Sequence, residues 1–208
     1  MKDVIRTFIA IEIPEDILAV LDRVQTVFKK YRLNIRWVRP ESIHLTLKFL
    51  GDIRPADVQA VSAAVTEATS SHAVFELHGL GIGVFPHIRN PRVFWAGIGG
   101  DVQALQSLQT SVENCLSRLG FEKERRPFKG HLTFGRSKGK IESRRLMDAM
   151  ADWGEFSTRS FSVKHVTFFQ SDLQSGGAFY TRLATLPLVA EKPILSDLAE
   201  RSRFSILE

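Results

Sequence analysis

The sequence predicts an α+β protein built as two similar, pseudo-symmetric lobes that face each other across a central cleft. Three observations predict it. Strand-like and helix-like segments alternate along the chain, a nine-residue pattern recurs after 87 residues, and the composition is globular, with 44% apolar and 25% charged residues in a chain of 208.

The elements follow from side-chain periodicity. Residues 7–13 are β-branched and aromatic and read as a strand closed by Pro14, whose ring starts a helix. Ile17, Leu18, Leu21, Val24, Val27 and Phe28 recur at three- and four-residue spacing and predict an amphipathic helix to Lys30. Residues 43–50 form a strand stopped by Gly51-Asp52, and Pro55 opens a second helix to Ser70. Residues 75–84 and 92–98 read as extended. Asp101 caps a helix that stops near Gly120, with Leu105, Leu108, Val112 and Leu116 on one face. A short strand over 132–134, a helix over 141–150 and extended runs over 161–170 and 179–186 complete the pattern, the last after a turn at Gly176-Gly177. Pro187 and Pro193 mark a tail over 187–208 with a short helix at 195–202.

The recurring pattern is Arg39-Pro40-Glu41-Ser42-Ile43-His44-Leu45-Thr46-Leu47 against Arg126-Pro127-Phe128-Lys129-Gly130-His131-Leu132-Thr133-Phe134. A strand and a helix precede each copy, and a helix and a strand follow it. The period is too long for a solenoid, so it reads as a duplicated lobe within a single unit over 1–186.

Composition narrows the function classes. A single cysteine, Cys115, excludes an internal disulfide framework and any multi-cysteine metal site, and fits a reducing compartment, so a cytoplasmic location is expected. The apolar run Phe8-Ile9-Ala10-Ile11 ends at Glu12 and Pro14, short of a signal peptide, and no run reaches membrane-span length. A net charge of +5 permits an anionic partner without requiring one.

Alternation along a strand puts His44, Thr46 and Lys48 on one face and Leu45, Leu47 and Phe49 on the other. His131 and Thr133 likewise oppose Leu132 and Phe134. Two imidazoles on opposite lobes suit phosphodiester chemistry: with a pKa of about 6.5, one can take a proton from the attacking oxygen while the other gives one to the leaving oxygen. Thr46 and Thr133 would donate to the non-bridging oxygens, and Lys48 or Arg136 would add positive charge. Arg136 falls on the wrong face by strict alternation, unless a bulge at Gly135 returns it to the cleft. The scheme calls for no metal and no cofactor.

These motifs, with Arg6-Thr7-Phe8-Ile9-Ala10-Ile11, Phe49-Leu50-Gly51, Phe85-Pro86, Pro91-Arg92-Val93-Phe94-Trp95 and Gly135-Arg136, resemble the two-histidine (2H) phosphoesterases. Within that superfamily they resemble the LigT-like RNA 2′,3′-cyclic phosphodiesterases, historically called 2′-5′ RNA ligases. The resemblance spans roughly residues 5–186. It implies two antiparallel sheets with outer helices, metal-free opening of 2′,3′-cyclic phosphate ends of RNA to 2′-phosphomonoesters, His44 as acid and His131 as base. Ligation would exchange the two roles.

Other readings stand beside this one. A lone strand histidine is usually structural, and only the repetition of His-x-Thr lifts this pair above that background. His78 and His165, also 87 residues apart, read as structural echoes of the duplication. The basic clusters at 28–32, 122–129 and 136–140 can grip an RNA backbone, whereas Phe8, Phe49, Trp95 and Tyr180, although able to stack a base, are expected mostly in the core. The rivals are a non-catalytic RNA-end or nucleotide-phosphate binding module, and a two-histidine enzyme for another cyclic nucleotide phosphate. A monomer is expected, since each lobe has its partner in the same chain, with no membrane and no obligate protein partner.

Overall fold

The computed structural model describes residues 3–174 and 177–189. In chain order the elements are β1 (Ile5–Glu12), α1 (Glu15–Lys30), β2 (Ile35–Trp37), β3 (His44–Ile53), α2 (Val58–Thr69), β4 (Phe75–Phe85), β5 (Val93–Gly100), α3 (Val102–Ser117), β6 (His131–Ser137), α4 (Ser143–Trp153), β7 (Phe161–Val163), β8 (His165–Gln174) and β9 (Gly177–Pro187). The terminal helix expected over 195–202 lies outside the described residues, as does Gly176 of the expected turn. Among the described residues no helix is long and apolar enough to cross a membrane.

The strands run in the order β7–β4–β5–β6–β3–β1–β8–β9, all pairs antiparallel, with β2 added on β6. The order is symmetric about the β6–β3 junction, which rests on one pair, Leu45 opposite Leu132. The two lobes are therefore β7–β4–β5–β6 and β3–β1–β8–β9. They are not the two sequence halves: the last strand of each repeat, β4 or β8, crosses to the lobe built on the other repeat's motif strand. The helices cross as well. α1 packs on β6 with α4 beside it, and α3 packs on β3 with α2 beside it.

Local sequence explains these placements. α1 buries Ile17, Leu21, Val24 and Phe28, and Phe28 meets Phe134 of β6 edge-on, ring centres 5.7 Å apart. Gly51-Asp52 does not end β3. Gly51 takes φ +73° next to an extra residue, Leu50, and pairing with β1 continues to Ile53. Asp101 stands at the N-cap of α3 as expected, but its side chain makes no capping bond; its carboxylate accepts the Glu76 N–H at 3.0 Å, tying the helix start to β4. β2 carried no sequence signal beyond three residues, Ile35-Arg36-Trp37. It forms because β6 leaves an edge open there, and Gly135 lets it approach: a Cβ on Gly135 would lie 2.8 Å from Ile35 Cγ2.

Candidate active site

Leu45 and Leu132 are both fully buried, so their strand neighbours face the opposite side of the sheet. The antiparallel register sets His44 across from Thr133 and His131 across from Thr46. All four side chains are half-buried on the cleft face. The two histidines are diagonal neighbours, a relation that separates residues by about 7–8 Å, with the Cβ atoms somewhat closer.

Each imidazole is fixed in the same way. Nδ1 of His44 lies 2.9 Å from the Ser42 carbonyl, and Nδ1 of His131 lies 2.7 Å from the Lys129 carbonyl. A carbonyl only accepts, so both Nδ1 atoms carry the proton, and both Nε2 atoms are left as lone-pair bases when the rings are neutral. Duplication has thus repeated the tautomer along with the residue.

The surroundings of the rings differ. His44 stacks on Phe8 at 4.6 Å and meets Tyr180 edge-on at 5.1 Å, and burial there pushes its pKa down to about 4, against the opposing pull of the Ser42 carbonyl. Arg136 and His131 add smaller repulsions in the same direction. His131 touches the Phe85 ring edge-on at 5.1 Å. Its pKa is also lowered by burial, with Arg136 and Lys129 adding to the effect against the Lys129 carbonyl bond.

Two bulges decide what else reaches the cleft. In β6 the pairing passes from Trp95–Thr133 to Phe94–Gly135, leaving Phe134 extra. Phe134 and Gly135 both point inward, and Arg136 returns to the cleft face, where its charge acts on His44, His131 and Tyr180. In β3 the pairing passes from Ala10–Thr46 to Ile9–Lys48, leaving Leu47 extra. The same geometry turns Lys48 away from the cleft, contrary to strict alternation. Lys48 is 6% exposed, and its Nζ lies 2.7 Å from Glu113 Oε2 and 2.7 Å from the Glu122 carbonyl. Lys48 is therefore a buried ion-pair residue behind the site. Phe49, expected in the core, takes the cleft position instead and is 64% exposed, 6.0 Å from Phe8. Phe49 and Arg136 stand 87 residues apart at equivalent places in the two copies.

Several contributors lie outside the motifs. Gln25, on the buried face of α1, donates through Nε2 to Val38 O at 2.6 Å and to Phe134 O at 2.9 Å, holding the β6 bulge from behind. Lys129 Nζ sits 4.5 Å from the Trp95 ring and 5.4 Å from that of Phe85. Arg39 stacks on Phe179 at 4.1 Å and donates to Ala178 O at 2.8 Å. Gln25 lacks any motif, but a polar residue on an otherwise apolar helix face was the available signal. His165 lies 3.6 Å from the carboxylate of Glu12, the residue opposite His44 in the β1–β3 pairing. Among the described residues no three His, Cys, Asp or Glu side chains gather as a metal-binding group.

Comparison with known proteins gives concordant findings. The LigT like phosphoesterase family matches residues 11–95 and 100–180, one segment on each repeat. An RNA 2′,3′-cyclic phosphodiesterase of Methanocaldococcus jannaschii is 31% identical, over 84% of this chain and 96% of its own. The enzyme of the same name from Methanothermobacter thermautotrophicus is 29% identical, over 88% of this chain and 99% of its own. A crystal structure of a Thermus thermophilus protein superposes with a TM-score of 0.71 at 26% identity, covering 90% of this chain and all of that one (100%).

Proposed function

Because the chain belongs to the LigT like phosphoesterase family, we propose that it is a hydrolase that opens 2′,3′-cyclic phosphate ends of RNA to 2′-phosphomonoesters. The observation that carries this reading is the pair of imidazoles with both Nδ1 atoms held by backbone carbonyls and both Nε2 atoms free, diagonal to one another on one face. Relatives named for this activity support it.

In the proposed reaction the cyclic phosphate sits between the rings. His131 Nε2 takes a proton from water as its oxygen bonds to phosphorus. The bond from phosphorus to the 3′-oxygen breaks, and His44, protonated at Nε2, gives that oxygen its proton. Thr46 and Thr133 donate to the non-bridging oxygens and Arg136 balances their charge, so that the steps run on the chain's own side chains. Lys48 has no part at the phosphate; Phe49 supplies the flat surface for the terminal base. A His44 with so low a pKa is a strong donor once protonated, and the phosphate anion favours that protonation on binding. With a 5′-hydroxyl RNA end in place of water as the attacking group, the same steps join two RNAs through a 2′-5′ bond; the 3′-oxygen still leaves, so the histidines keep their roles in this direction and exchange them only when such a bond is cleaved. We place the activity in the cytoplasm.

The test is hydrolysis of a short RNA with a 2′,3′-cyclic phosphate in excess chelator. His44→Ala and His131→Ala should each lose about 10²–10⁴-fold in rate. Near-wild-type rates in both variants would end the assignment.

A further inference from the structure

The hairpin of β8 and β9 forms one edge of the sheet, and its second strand has β8 as its only sheet neighbour among the described residues. Near its turn this strand is nevertheless held from outside the sheet. Arg39 Nη2 donates to Ala178 O at 2.8 Å, and the guanidinium lies 4.1 Å over the Phe179 ring. The next residue, Tyr180, meets His44 edge-on at 5.1 Å and Phe8 at 5.0 Å. Arg39 also begins the turn that leads to the histidine: its carbonyl accepts the Ser42 N–H at 2.8 Å, and the Ser42 carbonyl accepts from His44 Nδ1.

We infer that Arg39 is a positioning residue: it latches the β8–β9 hairpin onto the turn before His44, so that Tyr180 closes one side of that imidazole while Phe8 closes another. The second lobe lacks the device. Arg126, the repeat counterpart of Arg39, has an exposed side chain, and its backbone N–H bonds Glu124. The latch thus gives two histidines with the same backbone anchoring different surroundings, His44 among the rings of Phe8, Phe169 and Tyr180 and His131 against that of Phe85, which is what an acid and a base of one reaction require. The charged or titratable groups facing His44 are Arg136 and His131 of β6, Tyr180 of β9 and, from β1 beside Phe8, Glu12, which lies opposite His44 in the register with its carboxylate held by Thr167 of β8 and Arg182 of β9.

The inference concerns the first histidine of the reaction proposed above, but its main readout needs no substrate: proton NMR titration of both imidazoles in the full chain. With Arg39→Ala the pKa of His44 should rise by about one unit or more as water reaches the ring, while that of His131 stays in place. Tyr180→Ala should raise His44 in the same way and Tyr180→Phe should not. The double variant Arg39→Ala with Tyr180→Ala should match Tyr180→Ala alone, because the arginine acts through the tyrosine. On a cyclic-phosphate substrate Arg39→Ala should lower kcat and displace the pH profile, leaving KM near wild type. An unmoved His44 in Arg39→Ala, or shifts that add in the double variant as a direct charge effect would, overturns the inference. Absence of turnover in wild type bears on the proposed reaction alone.

Discussion

Replacing Lys48 separates the face read from alternation from the face the bulge creates. In the cleft, Lys48 would be a phosphate contact, and Lys48→Met would raise KM while leaving stability unchanged. Behind the strand it is half of a buried pair, with Nζ 2.7 Å from Glu113 and 2.7 Å from the Glu122 carbonyl, and Glu113 is itself only 7% exposed. Lys48→Met then leaves a buried carboxylate whose remaining partner is Gln109 at 3.3 Å, and a carbonyl without its donor. Removing one member of such a pair costs about 3–5 kcal/mol. Removing both, as Lys48→Met with Glu113→Leu, costs much less, since no charge is stranded. The assay is urea unfolding of wild type, both single variants and the double, with kcat/KM measured on folded protein. Both singles should lose several kcal/mol, the double should recover most of the loss, and folded protein should turn over within about threefold of wild type. A Lys48→Met variant that is fully stable but about a hundredfold weaker in KM would refute the buried placement.

The rings and their neighbours give two more expected outcomes. His44 has a folded pKa of about 4 against about 6.5 unfolded, so the unfolded chain binds more protons between those values and stability falls as pH drops through that window. The loss from pH 7 to pH 5 is at most about 2 kcal/mol, and urea midpoints should show a shallower pH slope in His44→Gln than in wild type. Phe49→Ala should raise KM about tenfold to a hundredfold with kcat nearly unchanged, the value of one stacked base, and steady-state kinetics on RNA ends with and without the terminal base should show the effect only when the base is present.

Much of this was legible because local rules and tertiary structure agree. The spacing of Ile17, Leu21, Val24 and Phe28 sets one face of α1, and the two His-x-Thr copies sit on strands whose leucines fill the core. Alternation failed beyond the threonines for one physical reason. A bulge inserts one residue and reverses the facing of those after it, and neither Leu47 nor Phe134 differs in type from a regular strand residue. The bulge in β3 buried Lys48 and exposed Phe49, and the one in β6, for which Gly135 was the signal, turned Arg136 toward the cleft. The exchange of β4 and β8 between lobes was hidden as well, since two repeats of the same element order can pair within or across themselves. Gln25, Arg39 and Glu113 act on partners far along the chain, Phe134, Ala178 and Lys48, and no local pattern encodes such contacts.

In the proposed reaction His44 gives a proton to the 3′-oxygen and His131 takes one from water, and a leaving-group substitution tests this division of roles most directly. In a cyclic substrate whose 3′-bridging oxygen is replaced by sulfur, the leaving thiolate needs no acid. On that substrate His44→Ala should recover to within about tenfold of wild type, while His131→Ala should remain impaired by about 10²-fold or more. Recovery of His131→Ala instead, or of neither variant, would contradict the assignment of the two histidines.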